Sequence, residues 1–205
     1  MTILRVKKTA KKKATIPKVQ QVLRYIVLDG EKHWLGELGE DQTAVCDSKA
    51  AVLKALERSD ANSLWISCRS ERTEELAKTL VELISSTTQR RATYGNLLTL
   101  EAAKADMRPT LQVFFSQVIG VSRQFKKLPL EELAEVLSSA RDERRDVFIG
   151  GELNLEFGTL VLVRGNLEQV IVPLCLFRPS ARATPDFSKF ELGDYGHTLR
   201  FGDYE

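Results

Sequence analysis

Residues 146–205 carry short apolar segments at spacings that leave room for little besides an antiparallel sheet. Gly158 and Arg164-Gly165-Asn166 divide residues 153–157, 159–163 and 167–172 with spacers of a few residues. A parallel crossover takes about a dozen residues, so a meander is expected. Leu153, Leu155 and Phe157 alternate with Asn154 and Glu156, as in a strand with one wet face. Residues 159–163 and 167–172 are more continuously apolar, which places them nearer the middle of the sheet.

Upstream, residues 22–28 read as a strand, Asp29-Gly30 as a two-residue turn, and the segment from His33 as the returning strand of a hairpin. Asp47 or Ser48 caps a helix whose Ala51, Val52, Ala55 and Leu56 share one face, and Ser63-Leu-Trp-Ile-Ser-Cys68 is a compact buried strand. Ser70 caps a longer helix, with Leu76, Leu80, Leu83 and Ile84 inward and Glu71, Glu74, Glu75, Lys78 and Glu82 toward water. Residues 93–100 make a further strand, in a layer that periodicity leaves parallel or antiparallel.

Pro109 opens a helix with Leu111, Phe114, Phe115, Val118 and Ile119 on one face, and Pro129 precedes another with Leu130, Leu133, Ala134 and Leu137. The two apolar stripes are expected to pack on one another or on a sheet. The reading is a mixed α+β protein: a basic arm over 1–21, an α/β layer over 22–104, a helical pair over 105–145 and a β-rich antiparallel part over 146–205.

The net charge of +2 conceals a division. Arg5, Lys7, Lys8, Lys11, Lys12, Lys13, Lys18 and Arg24 precede the first acidic residue, Asp29, so the chain from there to its end is acidic by about six charges. The first seven of these cations sit too densely to bury, and the arm is expected to be flexible and to neutralise phosphates. It holds no aromatic residue to stack on bases, so base-specific readout is not expected. Apolar runs such as 160–163 and 170–177 fall short of the roughly 20 residues of a membrane helix, and no apolar stretch succeeds the arm as in a secretory leader. Three cysteines without paired spacing fit a reducing cytoplasm.

Val170-Ile-Val-Pro-Leu-Cys-Leu-Phe177, then Ala183-Thr184-Pro185, Phe190-Glu-Leu192 and Tyr195-Gly-His-Thr-Leu-Arg-Phe201 succeed one another in an order that resembles an uncharacterised bacterial family. That family is known only as a domain of unknown function, twenty-four forty-two. Where its members place tryptophan and proline after the glycine turn, this chain has Arg200-Phe201-Gly202, and its acidic end is reduced to Asp203 and Glu205. The resemblance spans at most a quarter of the chain. It implies a small α+β domain, found in some relatives beside DNA-binding or toxin-antitoxin modules, and it transfers no catalytic residue.

No Walker loop, dinucleotide fingerprint, HExxH, paired-cysteine motif or nucleophile elbow occurs, so neither cofactor nor metal is expected, and the two histidines, His33 and His197, stand apart. The expected function is that of a non-enzymatic accessory protein in a bacterial cytoplasmic nucleic-acid assembly, with the arm on DNA or RNA phosphates and the acidic body on protein partners. A protein-protein adaptor or antitoxin-like regulatory component is the alternative. A magnesium nuclease built on Asp41, Asp47, Glu101 and Lys104 stands third, since carboxylates near strand ends can hold the ion.

Overall fold

The computed structural model describes residues 21–28, 38–86, 93–104, 107–140 and 142–205. Five strands, β1 (Tyr25–Leu28), β2 (Thr43–Cys46), β3 (Leu64–Ser67), β4 (Asn96–Thr99) and β5 (Gln117–Ile119), form a wholly parallel sheet in the order β2-β1-β3-β4-β5. β1 and β3 are buried along their whole length, as strands covered on both faces must be.

The connections from β2 to β5 all step across the sheet in one direction. A right-handed crossover then always falls on the same side. That side carries α1 (Lys49–Arg58), α2 (Ser70–Ser86) and α3 (Met107–Gln112), packed on Ile26, Trp65, Leu97 and Val118. The connection from β1 to β2 steps the other way, and its Leu38 lies in the opposite core. Ser48 caps α1 by accepting the Ala51 N–H at 3.3 Å, and Leu76 and Leu80 anchor α2, with Ile84 exposed instead of inward.

The opposite face carries α4 (Leu130–Ser138) and a four-stranded antiparallel sheet, β6 (Lys126–Lys127), β7 (Phe148–Asn154), β8 (Thr159–Arg164) and β9 (Gln169–Pro173), in the order β6-β7-β8-β9. Leu133 and Leu137 of α4 share a core with Val27 and Ile66 of the parallel sheet and with Leu160 and Leu162 of β8. A final hairpin, β10 (Phe190–Gly193) and β11 (Thr198–Phe201), closes that core with Phe190 and Phe201. The protein is thus α+β, with one parallel and two antiparallel sheets among the described residues.

Several local expectations are corrected. β1 cannot belong to a hairpin, because both its edges are taken by parallel neighbours, β2 and β3; the turn at Asp29-Gly30 and the return from His33 lie outside the described residues. β2, only four residues long, has no counterpart in the sequence reading. The helix after Pro109 stops at Gln112, and Val118 and Ile119 belong to β5, so the parallel sheet runs past Leu100. Of the two alternatives for the apolar stripes of α3 and α4, packing on a sheet is the one found, and the two helices lie on opposite faces of the parallel sheet. The strand expected over 153–157 ends at Asn154, leaving Leu155 and Phe157 65% and 74% exposed at a hairpin tip. Of the two strands expected at the middle of the meander, β8 lies between neighbours whereas β9 is an edge.

Candidate nucleic-acid interface

In open parallel sheets ligands favour the carboxyl ends of the strands, near the point where the strand order reverses. Here the polar groups at that end are engaged with one another. Thr73 Oγ1 donates to Ser67 Oγ at 2.8 Å, Ser67 Oγ donates to the Arg69 carbonyl at 3.2 Å, and Glu101 accepts the Ser70 N–H at 3.1 Å at the start of α2. Beside them, a cavity of ≈ 340 Å³ between α1 and α2 is edged by ion pairs, Lys49 with Glu82 and Arg72 with Glu75. Cys46 lies against it, its thiol pushed up to about 11 by burial and by the neighbouring Asp47 charge, which keeps it un-ionised at neutral pH.

The acidic set is not brought together. Asp41 precedes β2 and Asp47 comes just after it, so they lie at opposite ends of that strand. Glu101 lies beyond the end of β4, three strand spacings or roughly 14 Å from β2, too far for one ion to join them. Lys104 is held by Glu74 at 2.9 Å. Among the described residues no group of three His, Cys, Asp or Glu could hold a metal ion. His197 is exposed, and His33 lies outside the described residues.

The other end of the sheet is different. A cavity of ≈ 510 Å³ opens there between the starts of β1, β3 and β4 and the β8–β9 turn. Two arginines, Arg24 and Arg144, and three amides, Asn62, Asn96 and Asn166, supply its polar lining, and no carboxylate among the described residues lines it. Arg24 opens β1, its backbone pinned to the Gln42 and Leu64 backbones, with its guanidinium 5.1 Å from the centroid of the Tyr25 ring. Asn62 sits in a turn closed by Asp60, which accepts the Asn62 N–H at 2.8 Å, and by Ser63, whose hydroxyl donates to the Leu23 carbonyl at 2.6 Å. Asn166 accepts the Glu168 N–H at 3.0 Å in a turn where Leu167 takes a φ of +74°.

Arg144 forms the floor. It is only 7% exposed, and among the described residues it is the one charged side chain in the buried set. Its Nη1 donates to Tyr25 Oη at 3.2 Å and to the Leu137 carbonyl at 3.1 Å, and Tyr25 Oη donates to that carbonyl at 2.6 Å. The backbone of Gly165 lies directly on it, since a Cβ there would stand 2.8 Å from Arg144 Cβ and from its carbonyl oxygen.

The arm cations Arg5, Lys7, Lys8, Lys11, Lys12, Lys13 and Lys18 lie outside the described residues. The described chain begins at Gln21, whose carbonyl accepts from Arg58 Nε at 3.2 Å, and Leu23 is tied to the Arg58 carbonyl at 2.9 Å. The described chain thus begins at the sheet end where Arg24 lines the groove.

Sequence reasoning missed the groove because Tyr25 and Arg144 are 119 residues apart. The one local signal was the run Arg164-Gly165-Asn166, read as a turn and nothing more. No helix among the described residues is long and apolar enough to cross a membrane. The chain matches no protein-family model, no curated protein and no solved structure.

Proposed function

We propose that this protein is a non-enzymatic accessory component of a nucleic-acid assembly, holding phosphate backbones without sequence specificity through its lysine arm and the arginine groove beside it. The observation that carries this reading is the groove's composition, two guanidinium groups and three amides with no carboxylate among its described lining, in a body that is acidic as a whole. Amides and arginines together serve phosphate and sugar oxygens, the contacts that position a protein on nucleic acid without reading its bases. Arg24, set against the Tyr25 ring and only partly buried, is the groove cation that reaches a phosphate.

Fluorescence anisotropy with unrelated duplex and single-stranded oligonucleotides tests this. Affinity is expected to fall by about a decade or more between low and moderate salt, and removal of residues 1–18 to abolish most of it and flatten the salt slope. Arg24→Glu in the full chain is expected to weaken every oligonucleotide alike. Equal binding and an equal slope after truncation would defeat the reading. The adaptor alternative rests on a separate observation, the exposed Leu155 and Phe157 at the β7–β8 hairpin tip, which fit a protein partner.

A further inference from the structure

The four-stranded sheet ends in an edge whose donors and acceptors are complementary to those of a second copy. β9 pairs with β8 on one side, and no strand among the described residues pairs on the other. The register determines which groups face outward. The Arg164 N–H donates to the Glu168 carbonyl and the Leu174 N–H to the Gly158 carbonyl, each at 2.8 Å, so these are hydrogen-bonded pairs. Such pairs alternate along an antiparallel ladder, which makes Leu162 with Val170 and Leu160 with Val172 the bonded pairs between them. Gln169, Ile171 and Pro173 therefore turn their backbone groups away from β8. A proline in an outward position is where an edge strand tolerates one. Among the described residues no partner beyond β8 takes the Gln169 or Ile171 backbone groups.

Native sheets guard open edges with charge or short strands. β6, at the other edge of this sheet, is two residues long and both are lysines. β9 has five residues and no charge, and Ile171 at its centre is 68% exposed.

We propose that β9 is the contact of a homodimer, two copies pairing antiparallel about a two-fold axis through Ile171. In that register Ile171 and the partner's Ile171 exchange both backbone hydrogen bonds. Each Gln169 N–H donates to the carbonyl of Pro173 of the partner subunit, and the donor that proline lacks falls at the solvent-exposed end of the ladder. Glu168 meets the partner's Leu174, so no like charges face each other across the axis. The two Ile171 side chains stand side by side on one face, their Cα atoms about 5.5 Å apart. A second copy is the occupant because it supplies the uncharged, proline-ended complement in a fixed register. The proposal does not depend on the nucleic-acid reading.

Sedimentation equilibrium of the full chain up to about 100 µM is expected to show the mass rising from 23.1 kDa toward twice that value, with a micromolar midpoint for so small a contact. Ile171→Pro removes an outward donor that β8 does not use, and Ile171→Lys sets like charges on the axis. Each is expected to weaken dimerisation at least about tenfold while leaving the monomer's circular dichroism unchanged. In the unaltered chain, exchange of the Ile171 amide is expected to slow as concentration rises. A monomer throughout the range overturns the proposal. So does a dimer that both substitutions spare and in which the Ile171 amide exchanges equally fast at every concentration.

Discussion

Gly95→Ala is expected to cost about 3 kcal/mol or more, enough to leave much of the protein unfolded. Gly95 holds a φ of +103°, and a Cβ there would stand 2.1 Å from the Ser63 carbonyl oxygen and 2.8 Å from that of Asp60. Neither backbone can retreat. The Ser63 carbonyl accepts the Asn96 N–H at 2.9 Å, the Ser63 hydroxyl holds the Leu23 carbonyl, and the Gly95 carbonyl accepts the Ser116 N–H at 2.8 Å. One small residue thus sits where the starts of β1, β3, β4 and β5 converge, so the clash is shared by four strands. Gly158→Ala separates the two sources of cost: its φ is +61°, but nothing lies within 4 Å of the added carbon, and about 1 kcal/mol is expected. Urea denaturation of both variants checks the pair. A Gly95→Ala protein within about 1 kcal/mol of the parent would show that the sheet end yields.

Phe201→Ala is expected to remove about 3–5 kcal/mol. The Phe201 ring is fully buried, with ring centroids at 4.7 Å from Phe177, 5.2 Å from Phe187 and 5.6 Å from Phe190. Phe190 is also its cross-strand partner in the β10–β11 hairpin, and Tyr204 lies at 6.3 Å beyond it. Losing the central ring strips contact from four others at once and frees the hairpin that closes the core over β7. Aromatic pairs add about 0.5–1.5 kcal/mol each beyond area burial, which puts this substitution at the upper end for a phenylalanine. Phe157→Ala, at the exposed hairpin tip, is expected to stay within about 0.5 kcal/mol by the same thermal or urea measurement. Comparable losses in the two variants would mean that the C-terminal hairpin contributes little to the fold.

What could be read from residues alone were the elements that carry their own signal. Ser48 marks a helix start by local chemistry, Leu76 and Leu80 mark a helix face by spacing, and the short gaps on either side of residues 159–163 permit only antiparallel neighbours. The dense cationic run before Asp29 was equally plain, because charge is a property of composition. The failures share a cause. Leu111, Phe114, Phe115, Val118 and Ile119 fit a helical period, yet the last two are strand residues buried by neighbours on the sheet, and an apolar run does not distinguish the two outcomes.

Pairing direction in the five-stranded sheet, the side of that sheet each helix takes, and the edge position of β9 depend on which distant segments meet, and tertiary packing decided them. The arginine groove belongs to that second kind. Arg24, Asn62, Asn96, Arg144 and Asn166 come from separate stretches of chain and become one site only where the parallel sheet meets the β8–β9 turn. Local sequence determined helix caps, hairpin spacers and where the charge lies, because those act within a few residues; burial of distant apolar segments against one another determined which charges face the same opening.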